Sequence, residues 1–183
     1  MSKLVKITRV GIIAAPIVFG VWLAWSNIQP RGIFKAEFHF HQTPWISHLT
    51  PGYRAGELLS DNGVAFRRVT AVPIYVLLRT PRDFRLVKIK VTIRPQTPLD
   101  FRIGSRFGPD AAEVAYQAPQ EIGRNGEWIT YGTMFPMDAF MVEPDGRRRV
   151  AFSAISTDAE EVVKDTAPVG WFDIRKVEVE YGD

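Results

Sequence analysis

Apolar and polar positions alternate along most of this chain, and one stretch near its start abandons the alternation. In Val87-Lys88-Ile89-Lys90-Val91-Thr92-Ile93-Arg94 every odd position is β-branched and apolar, and every even one is polar. Period two sends the two sets to opposite faces of a strand, one toward a core and one toward water. The signature recurs over 35–41, where Ala36, Phe38 and Phe40 share a face, and over 174–181, where Val177, Val179 and Tyr181 do. Residues 53–59, 67–79, 99–104, 113–118, 128–135 and 148–155 are rich enough in β-branched and aromatic residues to be strands. Pro73 marks an edge or a bulge within its run. Turns are expected at Asp61-Asn62-Gly63, at 80–83, at 121–126 and at Pro144-Asp145-Gly146. A short helix is expected over 158–164, with its acids in the first turn. Strands this closely spaced leave no room for crossover helices. The pattern therefore predicts an all-β, jelly-roll-like β-sandwich over 33–183.

The exception is residues 10–28. From Val10 to Trp25 no charged side chain occurs, and a helix over that length rises about 24 Å, or about 28 Å through residue 28. A cleaved signal peptide wants small residues where Trp22 and Trp25 stand, and a globular core helix is seldom apolar all round. The expectation is a single N-terminal transmembrane anchor helix over 10–28, joined to the sandwich by a juncture at 29–32. Trp22 and Trp25 suit the headgroup layer, and Lys3, Lys6 and Arg9 in the basic flank 1–9 hold the N-terminus in the cytoplasm. The protein would then be a single-pass cell-membrane protein with its C-terminal domain periplasmic or extracellular.

Charge changes the picture only slightly. The net charge is +3, and the three basic groups of the flank account for it, leaving 20 basic against 20 acidic groups over 29–183. Such a balance gives no nucleic-acid footprint. The signs are nevertheless unevenly placed, with 13 basic against 5 acidic over 29–106 and 7 against 15 over 107–183. No cysteine is present, which excludes thiol catalysis, thiolate metal sites and disulfides, and a domain of this length can fold on its core alone.

Candidate chemistry is sparse. Glu37, His39 and His41 fall on one strand face and form a possible metal trio, similar to the H-x-H part of cupin metal sites. No distant third histidine completes that set, since His48 lies only a loop away. There is no G-x-S-x-G elbow and no phosphate-cradling glycine loop, so no catalytic residue and no cofactor is implied. Loop aromatics carry more. Trp45, Trp128 and Trp171 lie in or beside loops and Arg82 in a turn, a chemistry suited to sugar rings and their hydroxyls.

The closing strand I-R-K-V-E-V-E-Y and the Tyr75–Arg94 strand pair around T-P-R-D-F resemble the galactose-binding-like sandwiches found as carbohydrate-binding and cell-surface modules. That resemblance implies sugar binding through aromatic and arginine-bearing loops, or protein contact alone. Two functions are expected from these readings. The first is a non-catalytic, membrane-anchored accessory or structural subunit, with the bilayer and other membrane or envelope proteins as partners. The second is a membrane-tethered carbohydrate-binding module with a glycan as ligand.

Overall fold

The structure, a computed structural model, describes residues 15–21, 33–40, 43–80, 84–107, 113–140, 142–157 and 171–182, in two units, Met1–Arg31 and Gly32–Asp183. In the first unit residues 15–21 form a helix, α1. The second unit holds β1 (Phe34–Phe38), a short helix α2 (Gly52–Ala55), β2 (Leu58–Asp61), β3 (Val64–Val69), β4 (Ile74–Leu78) and β5 (Leu86–Pro95). It continues with β6 (Leu99–Phe107), β7 (Glu113–Gln117), β8 (Gln120–Asn125), β9 (Trp128–Pro136), β10 (Arg148–Ser156) and β11 (Phe172–Gly182).

Two antiparallel sheets face each other as a jelly-roll β-sandwich. The larger runs β2-β3-β11-β5-β9-β8, with β1 also paired to β11, and the smaller runs β4-β10-β6-β7. β11 shares one edge between two neighbours: Phe172–Ile174 pair with β3, and Val177–Tyr181 with β1. Its other edge pairs with β5 from Phe172↔Pro95 to Gly182↔Leu86. Inward residues shift from even to odd numbers between Ile174 and Val177, and a register shift in the β5 pairing falls at the same place. That bulge explains why alternation is clean on either side of Arg175 yet out of phase across it.

Pro73 splits what reads as one strand over 67–79. β3 belongs to the larger sheet and β4 to the smaller, so the chain changes layers between them. β4 and β5 consequently lie in different sheets, and the expected Tyr75–Arg94 strand pair is not formed. The 53–59 run is a turn of helix followed by an all-exposed edge strand, and 121–126 is mostly strand, β8, rather than turn. Asn62 and Gly63 make the tight β2–β3 turn with φ of 50° and 77°, the left-handed pair that a two-residue hairpin demands. The helix expected over 158–164 lies outside the described residues.

The membrane anchor is corrected. Among the described residues no helix is long and apolar enough to cross a membrane. The described part of this stretch is α1, residues 15–21. The remainder of 10–28, with Trp22, Trp25, Lys3, Lys6 and Arg9, lies outside the described residues. With the anchor go the readings that rested on it: bilayer and membrane-protein partners, a single-pass topology with a cytoplasmic N-terminus, and a subunit of a membrane complex.

Between the sheets lies one continuous apolar core. Val87, Ile89, Val91 and Ile93 of β5 meet Ile74, Val76 and Leu78 of β4 and Val150 and Phe152 of β10, all essentially inaccessible to water. Tyr181 closes one end, between Phe34 and Phe84, and its phenol donates to the Arg79 carbonyl at 3.4 Å. Burial pushes that phenol well above its ordinary value, against the opposing effect of Arg148. An unfolded tyrosine loses its proton near pH ~10 while the folded one keeps it, so this contribution is intact below pH ~10 and lost as pH rises past it. Tyr181→Phe is therefore expected to flatten the fall in unfolding free energy between pH ~9 and ~11, measured by urea denaturation of both proteins.

Candidate functional site

The outer faces of the two sheets differ in kind. On the larger sheet the outward residues are long and charged, and they pair. Lys35 and Lys90 meet Glu180 at 3.6 and 3.4 Å, and Lys176 meets Glu37 and Glu178 at 3.5 and 3.1 Å. Asp173 is fully buried on this same face. It accepts from Arg68 at 2.9 Å, from Arg94 at 2.8 and 3.1 Å and from Gln96 at 2.9 Å. The carboxylate holds both arginines above their ordinary range, chiefly through these hydrogen bonds. Arg94 in turn lies 4.8 Å over Phe66 and 5.1 Å over Trp128, and Arg175, freed by the bulge, lies 5.9 Å over the same indole.

That arrangement settles what Trp128 touches. Its ring meets Phe66 edge-on at 5.9 Å and is covered by two guanidinium groups, so cations rather than open water face it. Trp171 is 52% exposed and accepts the Gln96 amide at 3.0 Å through its carbonyl. Trp45 stands at the other end of β11, edge-on to Phe34 at 4.6 Å, while Phe34 stacks on Tyr181. Ten residues of strand, about 30 Å, separate the two ends. The three tryptophans thus form no common site, and Arg82 lies outside the described residues. Glu37 and His39 are 3.2 Å apart and exposed, and the contact with His39 is the main reason the Glu37 carboxyl sits below its ordinary value. Lys176 faces the same carboxylate at 3.5 Å, where a metal ion would have to stand, and His41 lies outside the described residues. Among the described residues no three His, Asp or Glu side chains converge as a metal site.

The smaller sheet turns a different surface outward. Register aligns Tyr75 of β4, Ala151 of β10, Gly104 of β6 and Tyr116 of β7 in one row across four strands. The sequence neighbours of Tyr75, Ala151 and Gly104 are buried between the sheets, so these three point away from the core, and Tyr116, paired with Gly104 and touching its open side, lies on the same outer face. Ala151 and Gly104 are buried although they face outward, and Val114 and the Tyr116 ring cover Gly104. A side chain at Gly104 would stand 2.6 Å from Val114 and 2.7 Å from the Tyr116 ring. The edge of that ring fills the place where a Cβ would be.

Around this row stand polar groups of fixed geometry. Arg149 lies 5.3 Å over Tyr75 and pairs with Glu143 at 2.9 Å. Arg102 and Asp100 form a two-point pair at 2.9 and 2.6 Å. Burial pushes the Tyr116 phenol above its ordinary value, the neighbouring Tyr75 adds to this, and a hydrogen bond with Ser153 offsets part of it. Sequence reasoning weighted tryptophans in loops and missed these tyrosines in strands. The available signal was an aromatic ring at a position where period two asks for a polar residue, as in Ile74-Tyr75-Val76.

No protein-family model matches the sequence, and no curated protein matches it. The fold matches several carbohydrate-binding-module structures of low identity. A CBM22-1 xylan-binding domain from Paenibacillus barcinonensis is 11% identical, over 84% of this chain and 97% of that one, with a TM-score of 0.45. The CBM22-2 xylan-binding domain of the same enzyme is 15% identical, over 82% and 99%, with a TM-score of 0.46. A carbohydrate-binding module of a Cellvibrio mixtus lichenase, in complex with cellotriose, is 13% identical over 79% and 95%, with a TM-score of 0.40.

Two substitutions test the two faces. Gly104→Ala is expected to push the Tyr116 ring off the sheet at a cost of about 1–3 kcal/mol, seen as a changed near-UV circular dichroism signal and a lower unfolding midpoint. Asp173→Ala leaves two guanidinium groups without their shared acid and is expected to destabilise by about 3–5 kcal/mol in the same denaturation assay.

Proposed function

We propose that the sandwich is a carbohydrate-binding module whose ligand lies on the outer face of the smaller sheet. The observation that carries this reading is the row Tyr75-Ala151-Gly104-Tyr116: two aromatic rings on a floor stripped of side-chain bulk. Sugar C–H groups are polarised by the oxygens beside them and are drawn to the negative face of an aromatic ring. Sugar hydroxyls both donate and accept, and need partners held in place. Ser153, the Arg102–Asp100 pair and Arg149 supply these around the two rings. The larger sheet offers no comparable surface, since long charged side chains occupy its outer face where the smaller sheet has two rings beside a glycine and an alanine. Backbone atoms in a sheet move little, so the site is formed before the ligand arrives, and binding loses little to ordering.

A panel of soluble oligosaccharides, including xylo- and cello-oligomers, measured by titration calorimetry, tests the reading. At least one glycan is expected to bind saturably. Tyr75→Ala and Tyr116→Ala are each expected to weaken it about tenfold, whereas Trp128→Phe, under its arginines, leaves it unchanged. Binding that is insensitive to both tyrosines, or a panel without a binder, would sink the proposal.

A further inference from the structure

Beside the tyrosine row, at the outer edge of β4 where the 45–50 segment covers it, lies a cleft of about 400 Å³ lined by Trp45, Ser47, Leu77, Arg79, Asp145 and Arg147, among others. That volume is within the range of sites for one small molecule or one sugar unit. Its groups differ in how far they are already engaged. Ser47 donates to the His48 carbonyl and accepts from the Leu77 amide, so its hydroxyl is used. Arg147 grips Asp145 through Nε at 2.8 Å and Nη2 at 2.5 Å, and its amide bonds the same carboxylate at 3.0 Å, so that pair is internally neutral. Arg79 is the exception. Its backbone N–H donates a hydrogen bond to the Trp45 carbonyl at 2.8 Å, but no acid among the described residues pairs with its exposed guanidinium. Arg148 of β10, the residue after Arg147, reaches Thr80, the residue after Arg79, and leaves its Nε buried without a hydrogen-bond partner among the described residues. The corner therefore combines an indole with a cation that no acid among the described residues neutralises.

Position links this cleft to the tyrosine row. Leu77, in its wall, and Tyr75 are two residues apart on β4 and face the same side, a spacing of about 7 Å. A glycan stacked on Tyr75 can seat an adjoining sugar unit there. An arginine beside an aromatic wall binds a negatively charged planar or tetrahedral group far better than it binds a hydroxyl, because a charge-assisted hydrogen bond is about twice as strong as a neutral one.

Resting on the reading of the neighbouring face, we infer that the cleft selects a pyranose unit carrying one negative charge, a carboxylate or a sulfate ester, with Arg79 as the group that recognises it. The ligand class is an acidic glycan, with the tyrosine face holding the chain and the cleft reading the charge.

The test uses the full chain and three probes in calorimetry: an oligogalacturonate, a sulfated galactan oligomer and a neutral xylo-oligomer. At least one charged probe is expected to bind about tenfold more tightly than the neutral one at low salt, with that advantage shrinking as salt rises. Which of the two binds better distinguishes carboxylate from sulfate. Arg79→Gln keeps the backbone bonds of the edge and is expected to abolish the advantage while leaving the neutral probe's affinity and the melting temperature unchanged. Arg79→Lys, with the charge but not the fork, is expected to restore part of it. A charged probe no better than the neutral one, or an advantage that survives Arg79→Gln, would overturn the inference and leave the tyrosine face standing. Charged binding lost with Arg79→Gln but untouched by Tyr75→Ala and Tyr116→Ala would support the cleft and sink the face. No binding of any probe would end both.

Discussion

The pairing of β5 with β11 is the constraint on which the sandwich rests. Each strand is long, each alternates, and together they hold the middle of the larger sheet with β1 and β3 on one side and β9 on the other. Once Val87, Ile89, Val91 and Ile93 are committed to the core, Lys88, Lys90, Thr92 and Arg94 are committed to the outside, because the pleat allows no third choice. The same holds for Glu178 and Glu180 opposite them. Opposite charges then face each other across the strands, at distances of 3.4 to 3.6 Å, and the outer face becomes a self-satisfied ionic lattice. Individually such exposed pairs contribute little to stability. Their consequence is positional: a surface whose charges are mutually occupied has few groups left for a ligand.

Asp173 is the extreme of that tendency. A carboxylate with no access to water loses its hydration, and five hydrogen bonds of 2.8 to 3.4 Å from two arginines and a glutamine make its position tenable. Those partners come from β3, β5 and the turn after β5, so the cluster ties the ends of three chain segments to the start of β11. Arg94 carries the effect further by lying on Phe66 and Trp128, which shields its charge with two rings. The smaller sheet follows the opposite rule. Its outward row contains Gly104 and Ala151, residues that contribute no charge and little bulk, and its aromatics are not covered by cations from above except at Tyr75. One face is closed by its own chemistry, and the other is left with surface to offer.

How much of this is legible in the sequence depends on which physical signal each feature leaves. The all-β class, the β5 alternation and the Asn62-Gly63 hairpin follow from local patterns and appear where the pattern puts them. Which strands pair is a long-range property, and the pattern is silent on it: β4 and β5 are neighbours in sequence but lie in different sheets. The bulge at Arg175 leaves a trace, a slip in the parity of apolar residues from Ile174 to Val177, that period-two reasoning can recover. The apolar stretch over 10–28 carries a strong hydropathy signal, yet among the described residues no helix is long and apolar enough to cross a membrane. Hydropathy measures what a segment would tolerate, not the structure it adopts. The tryptophans misled for a related reason. Ring size suggests a platform, but Trp128 is claimed by Arg94 and Arg175, partners more than 30 residues away on one side and more than 40 on the other.

The cleft at Arg79 has an origin in the management of a sheet edge. β4 ends its sheet, and an uncovered edge presents unpaired amides and carbonyls to any passing strand. Here the segment over 45–50 covers it without becoming a full strand. Thr50 exchanges both backbone bonds with Tyr75 at 2.7 and 2.8 Å, Ser47 bonds the Leu77 carbonyl at 2.9 Å, and the Ser47 hydroxyl takes the Leu77 amide at 2.8 Å. Because a side-chain oxygen replaces a backbone one at Leu77, the covering segment stands off from the regular ladder at that point. Trp45 and Arg79 flank the gap, joined by the last backbone bond of the series. A complete fifth strand would protect the edge equally well and fill the space with ladder. The irregular cover satisfies the same donors and acceptors while leaving a walled hollow, so edge protection and a binding cleft come from a single run of residues.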